Sequence, residues 1–121
     1  MDADIFESIV IEALDTLPPE FARYLDNVEI QIEARPTHEQ RRAVGLKPWQ
    51  TLYGLYQGVP LTVRSSSALL MPDLITLFQE PLEHDFPGLD QLRAQVRRTL
   101  LHEIAHFFGI SDARLRELNA Y

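Results

Sequence analysis

The sequence predicts a single α+β domain built on a small sheet. Three observations carry this. Apolar residues recur at helical spacing near both ends of the chain. Strand-like segments are grouped between them, rather than alternating with long helices as a βαβ fold would require. The 121 residues suit one compact domain, and 45% apolar with 24% charged residues suit a packed core under a solvated surface. No repeat, low-complexity tract or linker divides the chain, so residues 1–121 read as one domain.

The first element is a helix. Phe6, Ile9, Val10, Ala13, Leu14 and Leu17 form its apolar stripe, with Asp4 placed to cap it and Pro18-Pro19 to stop it. "PPEFARYL" reads as a short second helix entered through proline. In "NVEIQIEA", Val28, Ile30, Ile32 and Ala34 alternate with Glu29, Gln31 and Glu33, the pattern of a half-buried strand. "RPTHEQRRAVGL" carries a capping-box pair, Thr37 and Gln40, and ends at Gly45, which predicts a short helix. "LYGLYQGVPLTVRS" predicts a hairpin turning at Gly58. A further strand is expected at Leu74–Gln79, between Pro72 and Pro81. "EHDFPGLDQL" reads as a loop in which Asp85 or Asp90 caps the next helix.

From Leu89 to Phe108 the pattern is helical: Leu89, Leu92, Val96, Leu100, Ile104 and Phe107 recur at three and four. Arg93, Arg97 and Arg98 make the first half's solvated face. The second half is apolar nearly all round and is expected to be buried. Tyr53, Tyr56, Phe78, Phe107 and Phe108 are expected in the core. Gly109 suits a helix C-terminus, and "SDARLREL" reads as a last short helix.

Charge and composition exclude several classes. The net charge of −7 argues against a nucleic-acid partner, which needs a basic footprint. With no cysteine there are no disulfides, and any metal must be held by His, Asp or Glu. The N-terminus is acidic where a secretory signal is basic, and no apolar run nears the roughly 20 residues of a membrane span. A soluble, cytoplasmic protein without a membrane partner is expected.

The chemistry concentrates in "HEIAHFFGISD". His102 and His106 are four apart and share one helix face, with Cβ atoms about 5–6 Å apart. Imidazoles so placed can both reach one zinc ion. Glu103 lies one residue on, about 100° round the helix, where it borders an open coordination position and can act as general base on a water. Chance would produce this HExxH spacing in about one shuffled sequence in a hundred. A catalytic zinc usually has three protein ligands. Asp112, six residues after His106, becomes the third if the chain turns back at Gly109, where glycine permits φ > 0. Each also has a plainer role: Gly109 as helix cap, Asp112 as N-cap of the last helix. His38 and His84 lie in polar, loop-like surroundings and are expected to be solvated.

These residues resemble a bacterial family of very small zincin-like metallopeptidases. The HExxHxxGxxD signature is matched by His102, Glu103, His106, Gly109 and Asp112, and the upstream segment "YGLYQGVPL", residues 53–61, is similar to the family's "LGLYxGxPL"-like stretch. The resemblance implies a minimal zincin-like α+β fold: a small mixed sheet, helices packed on it, and a long active-site helix near the C-terminus. It also implies zinc on His102, His106 and Asp112, with Glu103 as the base that takes a proton from water and passes it to the leaving amine. Two features depart from larger zincins. Met1 and Met71 both precede the motif, and nine residues follow Asp112, so neither a Met-turn nor a subdomain walling a deep cleft is expected after it. The expected function is zinc-dependent hydrolysis of a peptide or protein substrate lying against the Leu74–Gln79 strand or one arm of the 52–64 hairpin. The alternatives are a non-catalytic peptide-binding module and a hydrolase of non-peptide amides. No sequence feature requires a second copy of the chain.

Overall fold

A computed structural model of the chain describes residues 3–58 and 72–117. Helix α1, Ala3–Asp15, buries Phe6, Ile9, Val10 and Ala13, four members of its stripe. A 3-10 turn at Pro19–Phe21 leads into α2, Ala22–Leu25. Strand β1 is Val28–Glu33, and α3 is His38–Ala43. Strand β2 is Gly54–Gln57 and β3 is Asp73–Phe78. Three helices complete the described chain: α4 at Gln79–Asp85, α5 at Leu89–Phe108 and α6 at Asp112–Glu117.

The described strands form one mixed sheet in the order β1-β3-β2. β1 runs parallel to β3, with Val28 opposite Asp73 and Glu33 opposite Phe78. β2 runs antiparallel to β3, with Gly54 opposite Leu77 and Gln57 opposite Leu74. The central position of β3 explains its burial on both faces: Ile75, Leu77 and Phe78 are fully buried, and so is Thr76, whose hydroxyl accepts from Gln31. β1, at an edge, alternates polar and apolar residues in sequence, but all of them except the exposed Glu29 are half-buried. Helix α5 crosses β2 and β3 and carries α1 on its flank. The core joins α1 and Phe21 to Ile75 and Leu77 of the sheet, Leu82 of α4, Leu115 of α6, and Leu92, Val96, Leu100, Leu101, Ile104 and Ala105 of α5.

The expected capping box forms on α3: the Thr37 hydroxyl accepts from Gln40 N at 3.0 Å, and the Gln40 side chain accepts from Thr37 N at 2.8 Å. Other expectations need correction. Residues 79–85 are helical: the strand stops at Phe78, so Gln79 is not part of it, and residues 83–85 are not loop. Pro81 is the third residue of α4, where its missing N–H is one of the first-turn donors that have no partner within a helix anyway. Neither Asp85 nor Asp90 caps α5; Gly88 occupies the N-cap without a side-chain bond, and Asp90 sits in the first turn. Phe107 and Phe108, expected in the core, are 47% and 38% exposed, each with one face against aromatic neighbours, Phe107 on Tyr56 and Phe108 on Tyr24. The arginine face is not merely solvated: Arg93 pairs with Glu12, and Arg97 donates to the Thr16 carbonyl, so both clasp α1 and its C-terminal end. The second arm of the expected hairpin lies outside the described residues. Among those described, no helix is long and apolar enough to cross a membrane.

Candidate functional site

Helix α5 delivers His102, Glu103 and His106 to the side of the sheet where β2 runs. The histidine rings lie nearly parallel, 20° apart in plane, with centroids separated by 6.2 Å. His102 is half-buried, and its Nε2 is shut off from solvent. Burial, and then the neighbouring His106, push its pKa below the ordinary imidazole value, against the opposing pull of Asp112. His102 is therefore held in the neutral form that a metal requires.

Glu103 is placed by backbone as well as by helix. Its Oε1 accepts a hydrogen bond from the Tyr56 N–H of β2 at 3.0 Å. Phe78 N donates to Tyr53 O across the β2–β3 ladder, so by the alternation of antiparallel pairing the Tyr53 and Leu55 main-chain groups face β3 and Tyr56 faces outward. The outer edge of β2 thus runs against the Glu103 carboxylate. Burial raises the Glu103 pKa, while the Tyr56 N–H and the His106 charge hold it down.

Two glycines make this approach possible. A Cβ on Gly54 would stand 2.7 Å from Thr99 Cγ2, and one on Gly58 would stand 2.5 Å from the Phe107 ring. Tyr56 lies between them. Its ring stacks on Phe107 at 4.0 Å, and its hydroxyl donates to the buried Asp73 carboxylate at 2.9 Å. The "YGLYQG" stretch is therefore a docking strip for α5. Sequence reasoning missed this role for Gly54, Tyr56 and Gly58. Gly54 inside a strand and Gly58 directly after it were the available signal, since glycine there marks close approach of another element.

Gly109 ends α5 with φ +71°, and the Ile110 N–H reaches back to the Ala105 carbonyl at 2.8 Å. Ser111, not Asp112, caps α6: its hydroxyl accepts from Arg114 N at 3.1 Å. Asp112 opens that helix near enough to His102 for its charge to oppose the lowering of the His102 pKa. The structure brings His102, Glu103 and His106 together. Among the described residues, however, no three His, Asp or Glu side chains converge on one metal position, so Asp112 does not close a third corner here. By chemistry the donor set still fits zinc: two imidazoles on one helix face, with the Asp112 carboxylate near enough to act on His102 through space.

A cavity of about 160 Å³ opens beside these residues, between Leu52, Tyr53 and Gly54 on one side and Gln95, Thr99, His102 and Glu103 on the other. Further off, the Tyr53 hydroxyl donates to Asp85, which also holds Nδ1 of the exposed His84 at 2.9 Å. His38 and His84 stand apart from α5's histidines, both exposed.

A family model described as zincin-like metallopeptidase matches residues 25–121. A solved structure of a conserved hypothetical protein from Thermo thermophilus is similar in fold, with a TM-score of 0.59 and 24% identity over 89% of this chain and 94% of that one. No curated protein matches the chain.

Proposed function

The chain belongs to the zincin-like metallopeptidase family, and from that premise we propose that it is a zinc-dependent hydrolase of peptide bonds with Glu103 as general base. The observation that carries the reading is the Glu103 carboxylate, held against the outer edge of β2 and beside His102. His102 and His106 would hold the zinc, and Asp112, close enough for its charge to act on His102, would have to move in as the third ligand. When bound, that ion supplies Lewis acidity for the scissile carbonyl and for the attacking water.

The chain's own residues do the rest. Tyr56 N–H fixes Glu103 Oε1, which leaves Oε2 to take the proton and return it to the leaving amine. Burial lifts the carboxyl toward the pH at which a base must both accept and release a proton. The substrate lies extended beside β2, the described arm of the 52–64 segment. β3 is not available for this, because β1 and β2 already flank it.

Glu103→Gln tests the mechanism. The amide oxygen still accepts from Tyr56 N–H, so fold and zinc content are expected to match the wild type. Peptide hydrolysis is expected to fall by about a hundredfold or more, the usual worth of a positioned base. Retained hydrolysis in that variant would falsify the assignment. A second reading, a non-catalytic peptide-binding module, draws on one observation: no three donors converge on a metal position among the described residues. Peptide binding without cleavage by the zinc-loaded wild-type protein would favour it.

A further inference from the structure

The chain is acidic overall, yet its basic side chains are unevenly spread. Four of its 11 Lys and Arg residues, Arg35, Arg41, Arg42 and Lys47, fall within 13 positions. Three of them, with His38, line a cavity of about 730 Å³ between α3 and the segment leading into β2. Glu80 offsets Arg35 at 3.5 Å. Arg41 is tied to the Lys47, Pro48 and Gln50 carbonyls and keeps its charge while shaping the wall. Trp49 lines the same cavity, is 75% exposed, and has the Lys47 ammonium 5.4 Å from its ring centroid. Arginine and exposed tryptophan around a concave surface are the groups that anchor a peptide partner, and guanidinium matches carboxylate geometry.

Leu52 lines both this cavity and the smaller one at His102 and Glu103, so the two are neighbours along one strip of chain. Tyr56, which holds Glu103, is four residues further on. At about 3.3 Å per extended residue the stretch from Leu52, the wall the two cavities share, to Tyr56 is roughly 13 Å, the length of about four residues of a peptide running beside it.

We propose that this groove is a substrate subsite for an acidic side chain, about four residues from the scissile bond of a peptide whose reacting carbonyl lies at Glu103. The inference rests on the hydrolase reading of Glu103. A nucleic acid could also meet arginine and tryptophan, but the net charge of −7 opposes the long-range attraction it needs.

Trp49 is the chain's single tryptophan, so its fluorescence reports occupancy without any turnover. Capped hexaglutamate, hexalysine and a thymidine hexanucleotide are titrated at low salt into wild type and into the Arg35→Glu/Arg42→Glu double variant. A saturable change with hexaglutamate, absent with hexalysine and weakened at least tenfold in a double variant of unchanged circular dichroism and melting temperature, is expected. No saturable change, equal affinity in the double variant, or tighter binding of the oligonucleotide would overturn the proposal. Cleavage sites in a peptide library are expected to carry Asp or Glu about four residues from the cut. Hexaglutamate binding with no peptide cleaved keeps the groove and sinks the hydrolase reading. Cleavage without acidic preference or hexaglutamate binding sinks the groove alone.

Discussion

At the scale of single residues, the site depends on side chains that are absent as much as on those present. Gly54 lets α5 come close enough for Glu103 to reach a main-chain N–H. Gly54→Ala places a methyl group against Thr99, whose β-branched side chain has little freedom to yield. A loss of about 1–3 kcal/mol in urea unfolding is expected, with activity falling further than stability because Glu103 shifts. A loss of stability with no change in activity would remove Gly54 from the positioning of Glu103. Tyr53 gives a pH prediction. Burial, then its bond to Asp85, raises its pKa to about 12. The folded chain therefore binds the phenol proton more tightly than the unfolded one. That contribution to stability is present below about pH 10 and is lost as pH rises toward 12. Phenolate absorbance is expected to show a tyrosine titrating near pH 12 that Tyr53→Phe removes.

At the scale of elements, α5 is both the central core helix and the carrier of the site. Its inner face buries Leu92, Val96, Leu100 and Ile104, and the same rigid helix presents His102, Glu103 and His106. Its end is set by Gly109, whose left-handed conformation costs an ordinary residue about 1–2 kcal/mol. Gly109→Ala is expected to lower stability by about that amount. It should also weaken zinc binding, because the turn that orients Asp112 relaxes; isothermal titration with zinc measures this. Unchanged zinc affinity would mean that Asp112 acts from a distance only. Helix α3 is held by its capping box and forms a wall of the basic groove. Thr37→Ala is expected to cost about 0.5–2 kcal/mol, read as a lower midpoint of urea unfolding.

At the scale of the whole molecule, a zinc ion bound only by the folded state adds stability by mass action, about 2.7 kcal/mol at a hundred times its dissociation constant. Zinc is expected to raise the melting temperature of the wild type and not of His102→Ala; equal shifts would place the metal elsewhere. Much of this architecture was legible from local pattern. The α1 stripe, the α3 capping box and the 20-residue span of α5 each depend on residues a few positions apart, so spacing alone determined them. So did the pairing of His102 with His106 and the turn at Gly109, because helix pitch and glycine's φ freedom are local properties. The helix at 79–85 was hidden because proline reads as a breaker unless its place within the first turn is known. Phe107 and Phe108 look like core residues, but each packs only one face on other aromatic rings and leaves the rest exposed, which spacing cannot tell. Local spacing therefore determined which residues are candidates for the chemistry and which helix bears them. Three-dimensional packing alone made β3 central and closed to a peptide, lent Glu103 an N–H from β2, and turned arginines near residue 40 toward a groove beside the site. Those facts join residues tens of positions apart, and no periodicity encodes which strand becomes the neighbour of which.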